Sequence, residues 1–162
     1  MNFRALSGCL GAMLYVIFAT NYYASSMGMC SEPRQNLIVN DGSKILMESN
    51  DSWYFLPAGV NIQVPIPTKE ALPQLKEYLD AHPRKHLSIT GLYLEKEKNF
   101  SRHDNLGHAR AEALFNYLRD LEFPEDRMNI SSERVAKLKT VSNRIYGAIM
   151  LDFPEMVEFG EH

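Results

Sequence analysis

The residues best placed to do chemistry lie within TGLYLEKEKNFSRHDNLGHARAEAL, positions 90–114. A short apolar stretch ends at Gly91. A charged loop with Glu95, Glu97 and Asp104 follows, and a helix-prone run then carries the pair Arg110-Ala111. That order has the look of a segment that reads a ligand. The plainer readings are as concrete: Arg110 as a solvated or salt-bridged helix arginine, and the three acids as a solvated loop. His103 and His108 are of a type that titrates near neutrality, but nothing in the sequence sets them beside other metal-ligating side chains.

Catalytic chemistry finds no foothold. No serine has a G-x-S-x-G context, neither Cys9 nor Cys30 has a suitable histidine neighbour, and no glycine-rich phosphate loop occurs. Glu95 and Glu97 sit in a charged loop without an apolar pocket to raise a carboxyl pKa. The expectation is a non-enzymatic protein, with no cofactor and no metal.

The elements that must position this segment can be read on either side of it. WYFLPAGVNIQVPIP, from Trp53, is β-prone, but Pro57, Pro65 and Pro67 hold it to short or edge strands. Thr68 can cap a helix with Leu72, Leu75, Tyr78 and Leu79 on one face, and Pro73 is expected to delay its regular part. HLSITGLYL, positions 86–94, reads as a covered strand. Asp104 or Asn105 can cap a second helix, with Leu106, Ala113, Leu114, Tyr117, Leu118 and Leu121 near a 3.6-residue period. A turn leads to a short strand around 128–132, and NRIYGAIMLDF, positions 143–153, reads as one final strand. The fold class expected is α+β: a two-layer β-α-β-α-β-β sandwich with both helices on one face of a mixed sheet.

Composition sets the outer bounds. The chain has 162 residues, enough for one compact domain and an extra segment, and its net charge of -3 gives no reason to expect nucleic acid. The extra segment is ALSGCLGAMLYVIFATNYYA, positions 5–24, twenty residues without a charge. As a helix it is long enough to span a hydrocarbon core. Arg4 before it and Tyr22 and Tyr23 at its end suit a single-pass anchor, with 1–4 in the cytoplasm and the remainder in the periplasm. A cleaved signal peptide is the competing reading, with Ala24-Ser25-Ser26 offering small residues to a peptidase. A lipoprotein signal would want a small residue before Cys30, where the chain has Met29. Ser7, Gly8, Gly11 and Ala12 could let another membrane helix approach. The span holds no acid, which argues against proton conduction. Positions 25–52 read as a tether with a short strand at 36–39 and a turn at NDGSK, and 154–162 as a loosely held tail.

This organisation resembles the OmpA-like C-terminal domain of bacterial envelope proteins, over about 53–153. The residues that carry the resemblance are LSITG at 87–91 and LGHARAEALFNYL at 106–118, similar to the family's strand ending in glycine and its L-S-x-x-R-A helix opening. Leu106, Arg110 and Ala111 match, and Gly107 replaces the serine. The wording TGLY…EKN…NLGHARA is also similar to a subgroup in Bacteroidetes envelope proteins. The resemblance implies non-covalent association with peptidoglycan through the diaminopimelate of its stem peptide. The family's helix arginine takes a carboxylate, and an aspartate after the strand's glycine takes the amino group. Arg110 would be the first of these. The aspartate's place is Leu94, so Glu95, one residue on, or Asp104 would supply the acid, with Asn105 near the family's asparagine. The alternative is a divergent module that scaffolds a membrane complex, with a protein partner or a second copy of itself, and without wall binding.

Overall fold

A computed structural model describes residues 34–155. The expected anchor at 5–24, the cysteines and the tail beyond 155 lie outside the described residues. No helix among the described residues is long and apolar enough to cross a membrane.

The described residues open with a β-hairpin, where a tether with one short strand at 36–39 was expected. Strand β1 (Leu37–Asp41) pairs antiparallel with β2 (Lys44–Ser49). Gly42 turns the corner at φ +57°, a conformation that disfavours a Cβ, and the Asn40 side-chain amide donates to its carbonyl at 2.8 Å. Val39, Leu46 and Met47 are buried in the core, so 37–49 belongs to the folded unit.

Two helices follow in mixed α/β order. Strand β3 (Tyr54–Phe55) leads to helix α1 (Ile66–Ala81). Pro65 and Pro67 flank its first residue, where a missing N–H costs no helix bond. Thr68 is inside the first turn rather than capping it. Its hydroxyl is fully buried and donates to the Asp51 carbonyl at 2.7 Å, tying the helix to the chain after β2. The helix runs through Pro73 without delay, and Ala71, Leu72, Leu75 and Leu79 form its buried face. Strand β4 (Leu87–Tyr93), helix α2 (Leu106–Asp120) and strand β5 (Met128–Arg134) form a crossover, with β4 and β5 parallel. Phe123 is buried just after α2, and its N–H closes back onto the Leu118 carbonyl at 3.1 Å.

The expected final strand at 143–153 is two shorter pieces, and a further short strand precedes it. Strand β6 (Lys139–Val141) turns through Ser142 and Asn143, both at positive φ, into β7 (Arg144–Tyr146). Gly147, at φ +64°, then breaks the line and redirects the chain into β8 (Ile149–Asp152). The result is three small sheets: β1-β2, β3-β7-β6 and β5-β4-β8. Helix α2 packs on the β5-β4-β8 sheet and α1 chiefly on β2. A single apolar cluster runs beneath them, from Met47 and Trp53 through Leu75 and Leu79 to Ile89, Leu114 and Phe153.

Candidate functional site

The strand–loop–helix segment is built around a contact between two glycines. A Cβ on Gly91 would overlap the Gly107 carbonyl oxygen, and one on Gly107 would meet the Tyr93 ring at 2.7 Å. The end of β4 and the first turn of α2 therefore touch backbone to backbone. Gly107 carries no side chain because the strand occupies the space. Asn105 caps the helix, its side-chain oxygen accepting the His108 N–H at 2.9 Å.

Arg110 lies one turn into α2 and is fully buried. Its guanidinium makes a two-pronged contact with Glu97: Nη2 to Oε1 at 2.6 Å and Nη1 to Oε2 at 3.1 Å. Nη1 also donates to the Leu92 carbonyl at 2.9 Å, at the end of β4. The Phe55 ring stands over the cation, 5.5 Å from Cζ. Nε is buried and without a hydrogen-bond partner. Glu97 is in turn fixed by the backbone, since the Leu94 N–H donates to Oε2 at 2.8 Å and the Glu97 N–H closes a turn onto the Leu94 carbonyl at 3.1 Å. A carboxylate thus sits against three donors, supplied by Arg110 and Leu94. Such charge-assisted, bidentate bonds are the strong kind.

The acid beside the arginine is Glu97, not Glu95 or Asp104. Glu95 points outward and pairs with Arg134 at 3.0 Å, both largely exposed. Asp104 is exposed on the loop. Asn105 serves the helix cap. An open cleft of about 460 Å³, lined by Leu94, Glu95, Lys96, Arg134, Val135 and Ala136, lies along the outer side of the turn. In the sequence, Glu97 reads as one of the solvated loop acids. The one signal that could have singled it out is Leu94, which leaves Arg110 in want of an acid and Glu97 three residues further on, within reach across a tight turn.

The rest of the loop is held from the helix. The carboxylate of Glu112 meets His103 Nε2 at 2.7 Å and Arg102 Nη2 at 3.1 Å. The His103 bond, with the Arg102 bond beside it, holds the Glu112 carboxyl below its ordinary range. Asn99 donates to the His103 carbonyl at 2.6 Å, and Phe100 stands out into solvent. Among the described residues, no group of three or more His, Cys, Asp or Glu side chains is arranged to hold a metal ion.

A second polar cluster knits the fold far from Arg110. The carboxylate of Asp41 accepts from Lys85 at 2.8 Å and from the Tyr78 hydroxyl at 2.6 Å, and Lys85 also donates to the Phe153 carbonyl at 3.0 Å. The Lys85 hydrogen bond, then that of Tyr78, pulls Asp41 below the usual carboxylate range, while Asp41 pushes both partners up.

No known protein family matches the sequence, and no curated protein does. Among solved structures the chain is similar to the peptidoglycan-associated lipoprotein from Burkholderia pseudomallei, at 20% identity and a TM-score of 0.43, covering 75% of this chain and 91% of that one. It is similar also to the OmpA-like domain of FopA1 from Francisella tularensis, at 12% identity and a TM-score of 0.46, covering 78% and 86%. A third is a MotB-like protein from Desulfovibrio vulgaris, at 12% identity and a TM-score of 0.44, covering 93% and 96%.

Proposed function

We propose that this chain is a non-enzymatic, OmpA-like module of the cell envelope whose arginine clamp is closed by its own glutamate. It works as a protein–protein scaffold in a membrane complex. The N-terminal segment anchors it in the inner membrane, the folded unit lies in the periplasm, and the chain is of the Bacteroidetes envelope type. One observation carries this reading: Arg110 is 0% exposed and both ends of its guanidinium are committed to Glu97 and Leu92. A ligand carboxylate would have to take the place that Glu97 fills.

The second reading is peptidoglycan association that tethers the membrane to the wall. It is favoured by the form of the Arg110–Glu97 contact, which is the one a stem-peptide carboxylate would make, and by the unused Nε donor. Sedimentation of the full chain with purified peptidoglycan separates the two. Under the scaffold reading, retention stays at the level of a non-binding control, and Arg110→Lys does not change it. Retention that is saturable and lost in Arg110→Lys would replace the scaffold with the wall clamp.

A further inference from the structure

We infer that the groove between β1 and β8 docks an extended, uncharged segment of a partner protein, which adds to the free edge of β8 as a further strand. The inference rests on the scaffold reading and names the surface that such a scaffold would use. Strands β4 and β8 pair antiparallel, with Met150 opposite Thr90 and Asp152 opposite Ser88. The Leu92 N–H donates to the Ala148 carbonyl at 2.7 Å, and the His86 N–H to the Pro154 carbonyl at 3.0 Å. Bonding residues alternate in such a ladder, so Ala148, Met150, Asp152 and Pro154 turn their backbone groups to β4. Ile149, Leu151 and Phe153 turn theirs to the opposite edge. At Phe153 that edge is closed: its N–H donates to the Asp152 carboxylate at 2.9 Å, and its carbonyl accepts from Lys85 at 3.0 Å. At Ile149 and Leu151 no strand among the described residues meets it. An unpaired row of N–H and C=O groups is a template for another strand.

The open stretch is the one that lines a groove. Ile149, Met150 and Leu151 form one wall and β1 the other, Trp53 and Leu92 also line it, and its volume is about 360 Å³. No lining side chain carries a charge, so a charged segment would lose its water there without gaining a partner. Ile38 and Met150, 52% and 48% exposed, make the rim apolar. The groove also selects against a folded partner. Cα atoms of β1 and β8 come within 8 Å of each other, so an occupant must be free along both of its own edges. A second copy offering its β8 would bring β4 with it. A lone extended segment brings nothing else, and it gains main-chain bonds from β8 and apolar contacts through alternate side chains. Two strand spacings come to about 9–10 Å, so β1 must shift outward by roughly an ångström or two. No backbone ladder fastens it to β8.

The probe is an acetylated, amidated hexapeptide of alternating threonine and valine, added to the full chain in mild detergent. Binding is read from the emission of Trp53, the one tryptophan and a groove residue, and from amide hydrogen exchange resolved by residue. Saturable binding is expected, with exchange slowed about tenfold or more at Ile149 and Leu151. Met150 and Asp152, already protected by β4, should not change. The same peptide with its backbone amides N-methylated should not bind, a control that needs no substitution in the protein. Ile38→Asp and Met150→Asp, at exposed positions on the rim, should each weaken binding by about tenfold or more. No saturable binding, binding indifferent to N-methylation, or slowing that does not alternate along β8 overturns the inference. So does protection of Ile149 and Leu151 in the chain without peptide: a dimer in sedimentation velocity then assigns the edge to a second copy, and a monomer to the chain itself. Failure removes the groove as a docking surface only; peptidoglycan sedimentation tests the scaffold reading separately.

Discussion

Removing Glu97 should harm the fold more than removing Arg110, and removing both should be milder than removing Glu97 alone. The asymmetry follows from where each group can go. Without Glu97, the Arg110 cation stays at 0% exposure beneath Phe55, with only the Leu92 carbonyl as partner. Stranding a buried charge in this way costs about 3–5 kcal/mol. Without Arg110, the Glu97 carboxylate is 11% exposed, still bonded to Leu94, and sits on a turn beside open solvent. Arg110→Met then forfeits its hydrogen bonds and leaves the Leu92 carbonyl unpaired, for about 1–3 kcal/mol. In the double variant no charge is stranded, so its loss should approach that of Arg110→Met, and the coupling should approach the stranding cost itself, about 3–5 kcal/mol. Urea unfolding followed by Trp53 fluorescence, on the three variants and the unsubstituted chain, gives the cycle directly. If the double variant loses the sum of the two single losses, the pair is not coupled and the closed clamp is wrong.

Three further outcomes follow from the same structure. Gly91→Ala drives a Cβ into the Gly107 carbonyl and should cost at least about 3 kcal/mol, whereas Gly42→Ala meets only open space and a positive φ and should cost about 1–2 kcal/mol; thermal melts by circular dichroism compare them. Asn105→Ala removes the cap of α2 and should lower stability by about 1 kcal/mol, read from the urea midpoint. Glu112 has a folded pKa below its unfolded value, so its contribution is present above the ordinary carboxylate range and is lost as pH falls through the folded value. Glu112→Gln should therefore flatten the fall in stability below about pH 4 and leave the slope near neutrality little changed, as seen in melts from pH 3 to 7.

The parts of the fold legible in the sequence are those with local chemical causes. Asn105 as a cap, the strand within 86–94, and the apolar face of α2 as far as Leu118 each depend on a few neighbouring residues; Leu121, expected on that face, lies past the helix and is exposed. The first hairpin was half visible: a strand at 36–39 could be read, but its partner KILMES has Leu46 and Met47 adjacent and both buried, which hides the alternation of a strand. The corner at Gly147 was hidden because its flanks, RIY and AIML, are β-prone without a break. Thr68 has the sequence of a cap, but a long-range bond to Asp51 draws it inside the first turn. In the site, Arg110 was legible and its partner was not. Glu97 is made an inward-facing acid by a turn that the charged composition of KEK conceals.

The separate sheet formed by β1 and β2 bears on how the unit would carry load. No backbone ladder joins this hairpin to the β5-β4-β8 sheet; side-chain packing and the Asp41–Lys85–Tyr78 cluster hold it there. A pull applied at Arg34 would meet the hairpin first and peel it bond by bond. Only after that would tension reach β4, which is gripped along both edges by β5 and β8. The hairpin is placed to yield as a compliant leader, with the stiff part of the molecule, Arg110 and its glutamate included, shielded behind it.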